Sequence, residues 1–332
     1  MERKSTTKKA SPANEPRVES VSGTERTACT KEEQNTTTYI PLKVHWGDID
    51  FLLYSDGYLR INTPHPVLAP TIPLVDFETQ SEALHLRKDI VHLSINVMLL
   101  KTSDKTILID AGLGKHFGGN QEGQLLENLA HSGISADSIT DILISHAHRD
   151  HIGGLVSTDG TIVYPHAKYH ISDEEYRFWM NEHPDFSRSK QNPEQIKGAI
   201  SFTQNILNKI KKNIVLFTPG DTLFSFIQTE SAPGHTPGQT LFTITSGNRS
   251  LKNIADVFHT PVMITKPEWG AAFDIDFEQS IQTRKRILED CFVNKTLVMS
   301  THLPWPGLGY IDKKDTYFWS PLPYYTPYEI NL

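Results

Sequence analysis

Cysteine is nearly absent from the 332 residues: only Cys29, in a polar stretch, and Cys291, in a segment of helical spacing, are present. Two thiols so placed exclude a disulfide framework and a cysteine zinc cage, so any metal must be held by His and carboxylate. Long apolar runs are missing too. No stretch approaches the roughly 18 consecutive apolar residues of a membrane span, and the beginning of the chain lacks the apolar core of a secretory signal. The expected setting is therefore cytoplasmic, with no membrane partner. An excess of basic charge is also lacking. With 32 Lys and Arg against 39 Asp and Glu, the formal charge is −7 and no basic stripe stands out, which argues against a dedicated nucleic-acid binder. Finally, residues 1–38 contain no Leu, Ile, Phe, Trp or Tyr. A segment with so little to bury is expected to be a disordered tail, leaving one domain over residues 39–332.

From residue 39 onward short β-rich runs alternate with turn residues. Residues 51–54 and 58–61, separated by Ser55-Asp56-Gly57, read as a hairpin. Strands are also expected over 90–101, 106–110, 141–145, 214–217, 223–229, 241–245, 251–255 and 296–300. Helical spacing marks 124–130, 194–210 and 277–291. Strands on both sides of helices imply sheets covered by helices, an α+β arrangement. The Pro-rich, poorly periodic stretch 64–86 reads as a long loop or a cap.

The chemistry is concentrated in Ser145-His146-Ala147-His148-Arg149-Asp150-His151-Ile152-Gly153-Gly154. His146 and His148 lie two apart after an apolar run, so in extended geometry both project to one side. Asp150 and His151 follow where the chain turns. Three imidazoles and a carboxylate within six residues are costly to desolvate unless something binds them, and a metal ion would satisfy all four. Three more candidates follow in order, each at the end of an expected strand. They are His235 in Pro233-Gly234-His235-Thr236-Pro237-Gly238, Asp256 after Ala255, and His302 after Ser300-Thr301.

On these motifs the chain, from about residue 39 to the end, resembles the metallo-β-lactamase superfamily. The resemblance implies an αββα sandwich with two zinc ions, or another divalent metal, at one edge of two facing sheets. It implies that His146, His148 and His235 hold the first ion, that Asp150, His151 and His302 hold the second, and that Asp256 bridges them. Asp110, in Leu108-Ile109-Asp110-Ala111-Gly112, matches the motif that supports such a site from behind. The residue before the bridging Asp is usually Gly in this family, whereas here it is Ala255. Two metals so held can generate a hydroxide nucleophile at neutral pH, with Asp150 and Asp256 as the catalytic carboxylates and Asp150 relaying a proton to the leaving group.

Many class B β-lactamases place a Cys among the late ligands, and neither cysteine here can serve. The pattern is closer to the broader hydrolase group that includes glyoxalase II, N-acyl-homoserine lactonases and methyl parathion hydrolase-like enzymes. The aromatic ending over 317–325 does not resemble glyoxalase II, whereas His302-Leu303-Pro304-Trp305-Pro306-Gly307 is similar to the lactonase and methyl parathion hydrolase-like segment. The aromatics Phe117, Phe178, Trp179, Phe186, Phe202 and Trp305 are candidate pocket walls. Phe117 and Trp179 are expected to contact substrate, as is His259, three residues beyond Asp256 where some lactonases carry Tyr. The implied activity is hydrolysis of a lactone carrying an apolar tail, an N-acyl-homoserine lactone above others and so quorum quenching. Hydrolysis of an organophosphate triester is the runner-up, and a metal-free scaffold of the same fold is the alternative of another class. The implied partner is a small molecule, and a homodimer is admissible.

Overall fold

Along Val91–Lys101 the side chains alternate between two apolar environments, and that alternation organises the whole domain. Ile95, Val97 and Leu99 point into one buried cluster, Met98 and Leu100 into another. A strand buried on both faces needs a layer on each side.

The computed structural model describes residues 41–46, 49–117, 122–324 and 329–331; the tail expected over 1–38 lies outside them. The first sheet contains β1 (Leu42–Trp46), β2 (Ile49–Ile61), β3 (Val91–Lys101), β4 (Thr106–Ile109), β5 (Asp141–Leu143), β6 (Lys168–Ser172) and β7 (Ile214–Phe217). The second contains β8 (Thr222–Leu223), β9 (Ile227–Ser231), β10 (Thr240–Ser246), β11 (Arg249–Asn253), β12 (Leu297–Met299), β13 (Leu308–Lys313) and β14 (Tyr317–Pro321). A further strand, β15 (Glu329–Asn331), pairs in parallel with β1 and completes the first sheet.

The helices are α1 (Pro64–Val67), α2 (Leu74–Ala83), α3 (Leu125–His131), α4 (Arg149–Ile152), α5 (Asp173–Met180), α6 (Pro193–Ile210), α7 (Pro261–Thr265) and α8 (Phe277–Val293). Leu129 of α3, Trp179 of α5 and Ile206, Leu207 and Ile210 of α6 cover the outer face of the first sheet. The inner faces meet through residues such as Phe51, Leu53, Phe242, Ile244, Leu297 and Met299. Ile287, Leu288 and Cys291 of α8 cover the outer face of the second sheet with Leu241 and Val298. The result is an αββα sandwich.

Parallel pairing sets up the site. β4 runs beside β5, with Ile109 opposite Leu143, so Asp110 and the 145–151 segment leave the first sheet side by side. β11 runs beside β12, with Asn253 opposite Met299, which brings out Asp256 next to His302.

The structure corrects three local expectations. The hairpin over 51–61 is one strand, β2, with an irregularity in its pairing to β3 between Ser55 and Tyr58. Asp56 is buried there and accepts the backbone N–H groups of Leu113 (2.8 Å) and Leu125 (2.6 Å), so its job is to tie loops together. The strand expected over 223–229 is split into β8 and β9, because Phe224 and Ser225 take left-handed φ values of 52° and 65°. The 64–86 stretch contains α1 and α2, whose Phe77 joins Trp269, Met263 and Val262 in a separate apolar cluster.

Candidate metal centre

The 146–151 segment folds as a short loop running into one turn of helix. His148 is the N-cap residue of α4, and Asp150 and His151 lie within that turn. Asp110, held at φ 60°, anchors the segment: its carboxylate accepts the N–H of Ser145 (2.8 Å) and the Ser145 hydroxyl (2.7 Å). The same carboxylate accepts Nδ1–H of His151 at 2.9 Å.

His235 lies in the loop between β9 and β10. Gly234, at φ 126°, is required there, because a Cβ would come within 2.2 Å of the Ser280 backbone nitrogen. His235 donates Nδ1–H to Asp274 at 2.8 Å. Asp274 is fully buried and also accepts the Ala271 N–H (3.0 Å) and the Ser280 hydroxyl (2.5 Å), with the buried Arg284 guanidinium 3.6 Å away. Burial alone would raise the Asp274 pKa; the bond to His235 and the nearby positive charge outweigh it and hold the carboxyl well below the usual range. His302 donates Nδ1–H to the Ser94 carbonyl at 2.7 Å.

These three bonds fix three tautomers, so in the neutral rings Nε2 of His151, His235 and His302 carries a lone pair facing inward. His235 Nε2 is 2.8 Å from His148 Nδ1 and 3.2 Å from His146 Nε2. Asp256 Oδ2 lies 2.9 Å from His302 Nε2 and 3.4 Å from His235 Nε2, and its Oδ1 lies 3.2 Å from His151 Nε2. Asp150 Oδ2 is 3.3 Å from His302 Nε2.

Three overlapping groups of potential ligands therefore converge, His146–His148–His235, Asp150–His151–Asp256–His302 and His235–Asp256–His259, with ligand atoms within 4.8 Å of one another in each. His151 Nε2 and Asp256 Oδ1 are buried without any hydrogen-bond partner. Inward lone pairs crowded around a carboxylate repel one another unless a cation or protons sit among them. The residues fit a divalent ion, and an all-imidazole-and-carboxylate set suits zinc or a similar metal.

Residues 91–296 match the profile of the metallo-beta-lactamase superfamily. The chain belongs to that superfamily. Among solved structures, AidC, a dizinc quorum-quenching lactonase in complex with a product, N-hexanoyl-L-homoserine, is 34% identical, with a TM-score of 0.82 over 87% of this chain and 100% of that one. The hydrolase AbOPH of the beta-lactamase superfamily is 26% identical, with a TM-score of 0.78 over 86% of this chain and 99% of that one. The uncharacterized protein YobT of Bacillus subtilis (strain 168) is 31% identical over 153 residues, 45% of this chain and 56% of that protein.

At residue 255, where the resemblance implies Gly, the backbone geometry would suit glycine. Ala255 adopts φ 44°, a left-handed conformation that costs a residue with a Cβ about 1–2 kcal/mol and a glycine nothing. Its N–H is held by Asn253 Oδ1 at 3.0 Å.

The expected substrate contacts fall in different surroundings. His259 is buried, stacked on His302 with ring centroids 5.2 Å apart, and neither of its ring nitrogens has a hydrogen-bond partner. Phe117 is 45% exposed, packed on Phe202 and under the Arg149 guanidinium. Trp179 is fully buried behind His148, edge-on to that ring at 5.8 Å, and donates its indole N–H to Glu175 at 2.7 Å. It therefore offers no open wall to a ligand. Phe273, not singled out from the sequence, packs edge-on against both His235 (5.8 Å) and His259 (4.8 Å). No helix among the described residues is long and apolar enough to cross a membrane.

Without an ion, burial pulls the His302 pKa down, but Asp256 and Asp150 outweigh it and push the group up to about 10. His151 is raised in the same way, with Asp256 and Asp110 opposing its burial. In both rings the neighbouring carboxylates favour the protonated form, which a bound ion would have to displace. Metal uptake is therefore expected to release protons, so that apparent affinity rises with pH across the neutral range. Chelator competition at several pH values measures this, and a pH-independent affinity would contradict the assignment of His151 and His302 as ligands.

Proposed function

We propose that this chain is a divalent-metal lactone hydrolase acting on N-acyl-homoserine lactones, with two zinc ions as its working cofactor. What supports the reading is one conjunction: a chain 34% identical to a dizinc lactonase along that enzyme's whole length brings together two groups of ligands around a shared carboxylate. In this reading His146, His148 and His235 hold one ion, Asp150, His151 and His302 the other, and Asp256 faces both. Ions bound there supply Lewis acidity toward the lactone carbonyl and lower the pKa of water from 15.7 towards about 7.

The side chains do the rest. Asp150 is buried beside His302; burial would raise its pKa, but His151 and His302 hold it well below the usual carboxylate range. Its place beside His302, not its depressed pKa, is what suggests Asp150 as the group that would take the proton of the attacking water and pass it to the ring oxygen as the C–O bond breaks. Burial pushes His259 down to about 4, so its ring is neutral at pH 7 and has one N–H to offer the substrate carbonyl. Phe273 supplies an apolar wall beside it, and Phe117 is a candidate contact for the acyl tail.

The test is a graded series of acyl-homoserine lactones incubated with metal-loaded protein, with the ring-opened acid measured directly. Each further methylene buried contributes about 0.8 kcal/mol, so kcat/KM is expected to rise about fourfold per CH₂ until the pocket is full. Methyl parathion is expected to turn over more slowly, and a β-lactam scarcely. Inert lactones alongside efficient phosphotriester hydrolysis would replace this reading with the triesterase one.

A further inference from the structure

Glu175 is a carboxylate with no surface exposure, on the first turn of α5, outside all three groups of ligands. Its Oε1 accepts the N–H of Ala147 at 2.8 Å and the Trp179 indole N–H at 2.7 Å. Its Oε2 accepts the Thr236 hydroxyl at 2.7 Å and the Gly238 N–H at 3.0 Å. Ala147 is the residue between His146 and His148, and Thr236 is the residue after His235. Trp179 is the ring that backs His148. One carboxylate thus touches both loops that carry the three-histidine group, one from each sheet.

The approach is close by design of the sequence. A Cβ at position 238 would lie 2.2 Å from the Glu175 nitrogen, so the second glycine of Pro233-Gly234-His235-Thr236-Pro237-Gly238 is what lets the loop reach α5. Ser172, which caps α5 by accepting the Glu175 N–H at 3.2 Å, donates its hydroxyl to the Gly238 carbonyl at 2.8 Å. Burying a carboxylate is expensive unless its acceptor sites are filled, and here four donors fill them, two from each side.

We propose that Glu175 is a positioning residue that sets the spacing of His146, His148 and His235 by clamping their two loops together. The inference rests on the reading of those histidines as one metal-binding group. Glutamine in its place fits the volume but turns an NH₂ toward two donors, whichever way the amide faces, and so opens one of the two loops.

The experiment is a cobalt(II) titration of the metal-free full chain, followed by absorption and by chelator competition. Glu175→Gln is expected to weaken cobalt at the three-histidine group about 10- to 100-fold, as loss of a supporting partner does. The loss should persist in a His302→Ala background and disappear in a His235→Ala background, where that group is already broken. Thr236→Val removes one of the four donors without changing shape; it should weaken the same group by about three- to tenfold and carries the test if Glu175→Gln does not fold. The melting temperature of the metal-free variants reports any purely structural loss separately. Wild-type cobalt affinity in the variants, or the same loss in both histidine backgrounds, would overturn the proposal. Wild-type protein that binds cobalt normally but leaves lactones intact would instead remove the proposed function and leave the clamp standing.

Discussion

Asp256→Asn is expected to lower kcat by about a thousandfold on every substrate the protein hydrolyses, lactone or simple chromogenic ester alike. The two oxygens of Asp256 face different partners, Oδ1 toward His151 and Oδ2 toward His302 and His235. Asparagine keeps the shape, loses the charge, and turns an NH₂ toward one of the two groups. A shared carboxylate contributes several kcal/mol through the charge it stabilises, and about 4 kcal/mol corresponds to that factor. Because the loss arises at a place all substrates share, the ratio of rates between substrates should not move. A variant that retained both ions and lost activity on only one substrate would show that Asp256 belongs to substrate recognition.

Replacing Asp274 by Ala should have the largest effect on stability. Arg284 is almost completely buried, donating to the carbonyls of Val257, Pro267 and Trp269, and Asp274 is the carboxylate beside it. Removing one member of a buried pair strands the other charge, at a cost of about 3 kcal/mol or more. In a chain of this size that lowers the melting temperature by roughly 4–5 °C or more. His235 also loses the acceptor that orients its ring, so zinc affinity should fall about 10- to 100-fold. Thermal melts with chelator and with zinc separate the two effects, since the first persists without metal. An unchanged melt in chelator would mean that the Arg284 carbonyl contacts alone suffice.

The contrast between Asp256 and Asp274 shows what the sequence exposes. His146, His148, Asp150 and His151 are close enough in sequence to be noticed as a group, and His235, Asp256 and His302 each follow an apolar run that ends abruptly. Asp274 and Glu175 carry no such mark. Asp274 follows Phe273 in a loop, Glu175 stands in an acidic first helical turn of the kind any helix favours, and only the tertiary fold sets Asp274 against His235 and Glu175 against Ala147 and Thr236. The layers of the sandwich were legible because strand and helix periods differ. The misread hairpin at Ser55-Asp56-Gly57 has a physical cause as well: those residue types favour turns, but the side chain of Asp56 is needed inward, where it satisfies two amides of distant loops. Helix α2 was hidden because it buries only Phe77 and Ser81, too few to print a period. Trp179, between Phe178 and Met180, reads as one more aromatic of a pocket wall, because nothing in the sequence marks Glu175, one helical turn before it, as the buried acceptor of its indole N–H.

Four of the seven candidate ligands come from loops of the first sheet and three from loops of the second, so the centre straddles the interface between the two sheets, and the first four are synthesised before the other three. A nascent chain that has emerged only as far as Phe217 carries His146, His148, Asp150 and His151 but lacks the residues that complete either group. It can at best scavenge ions loosely. Tight capture must await docking of the second sheet, which also sets His302 against the Ser94 carbonyl, while Asp110 and Asp274 orient His151 and His235 from within their own halves. An ion bound there would then be selected by a finished cavity, so its identity would depend on which divalent ions are exchangeable when the second sheet docks as well as on the ligand list.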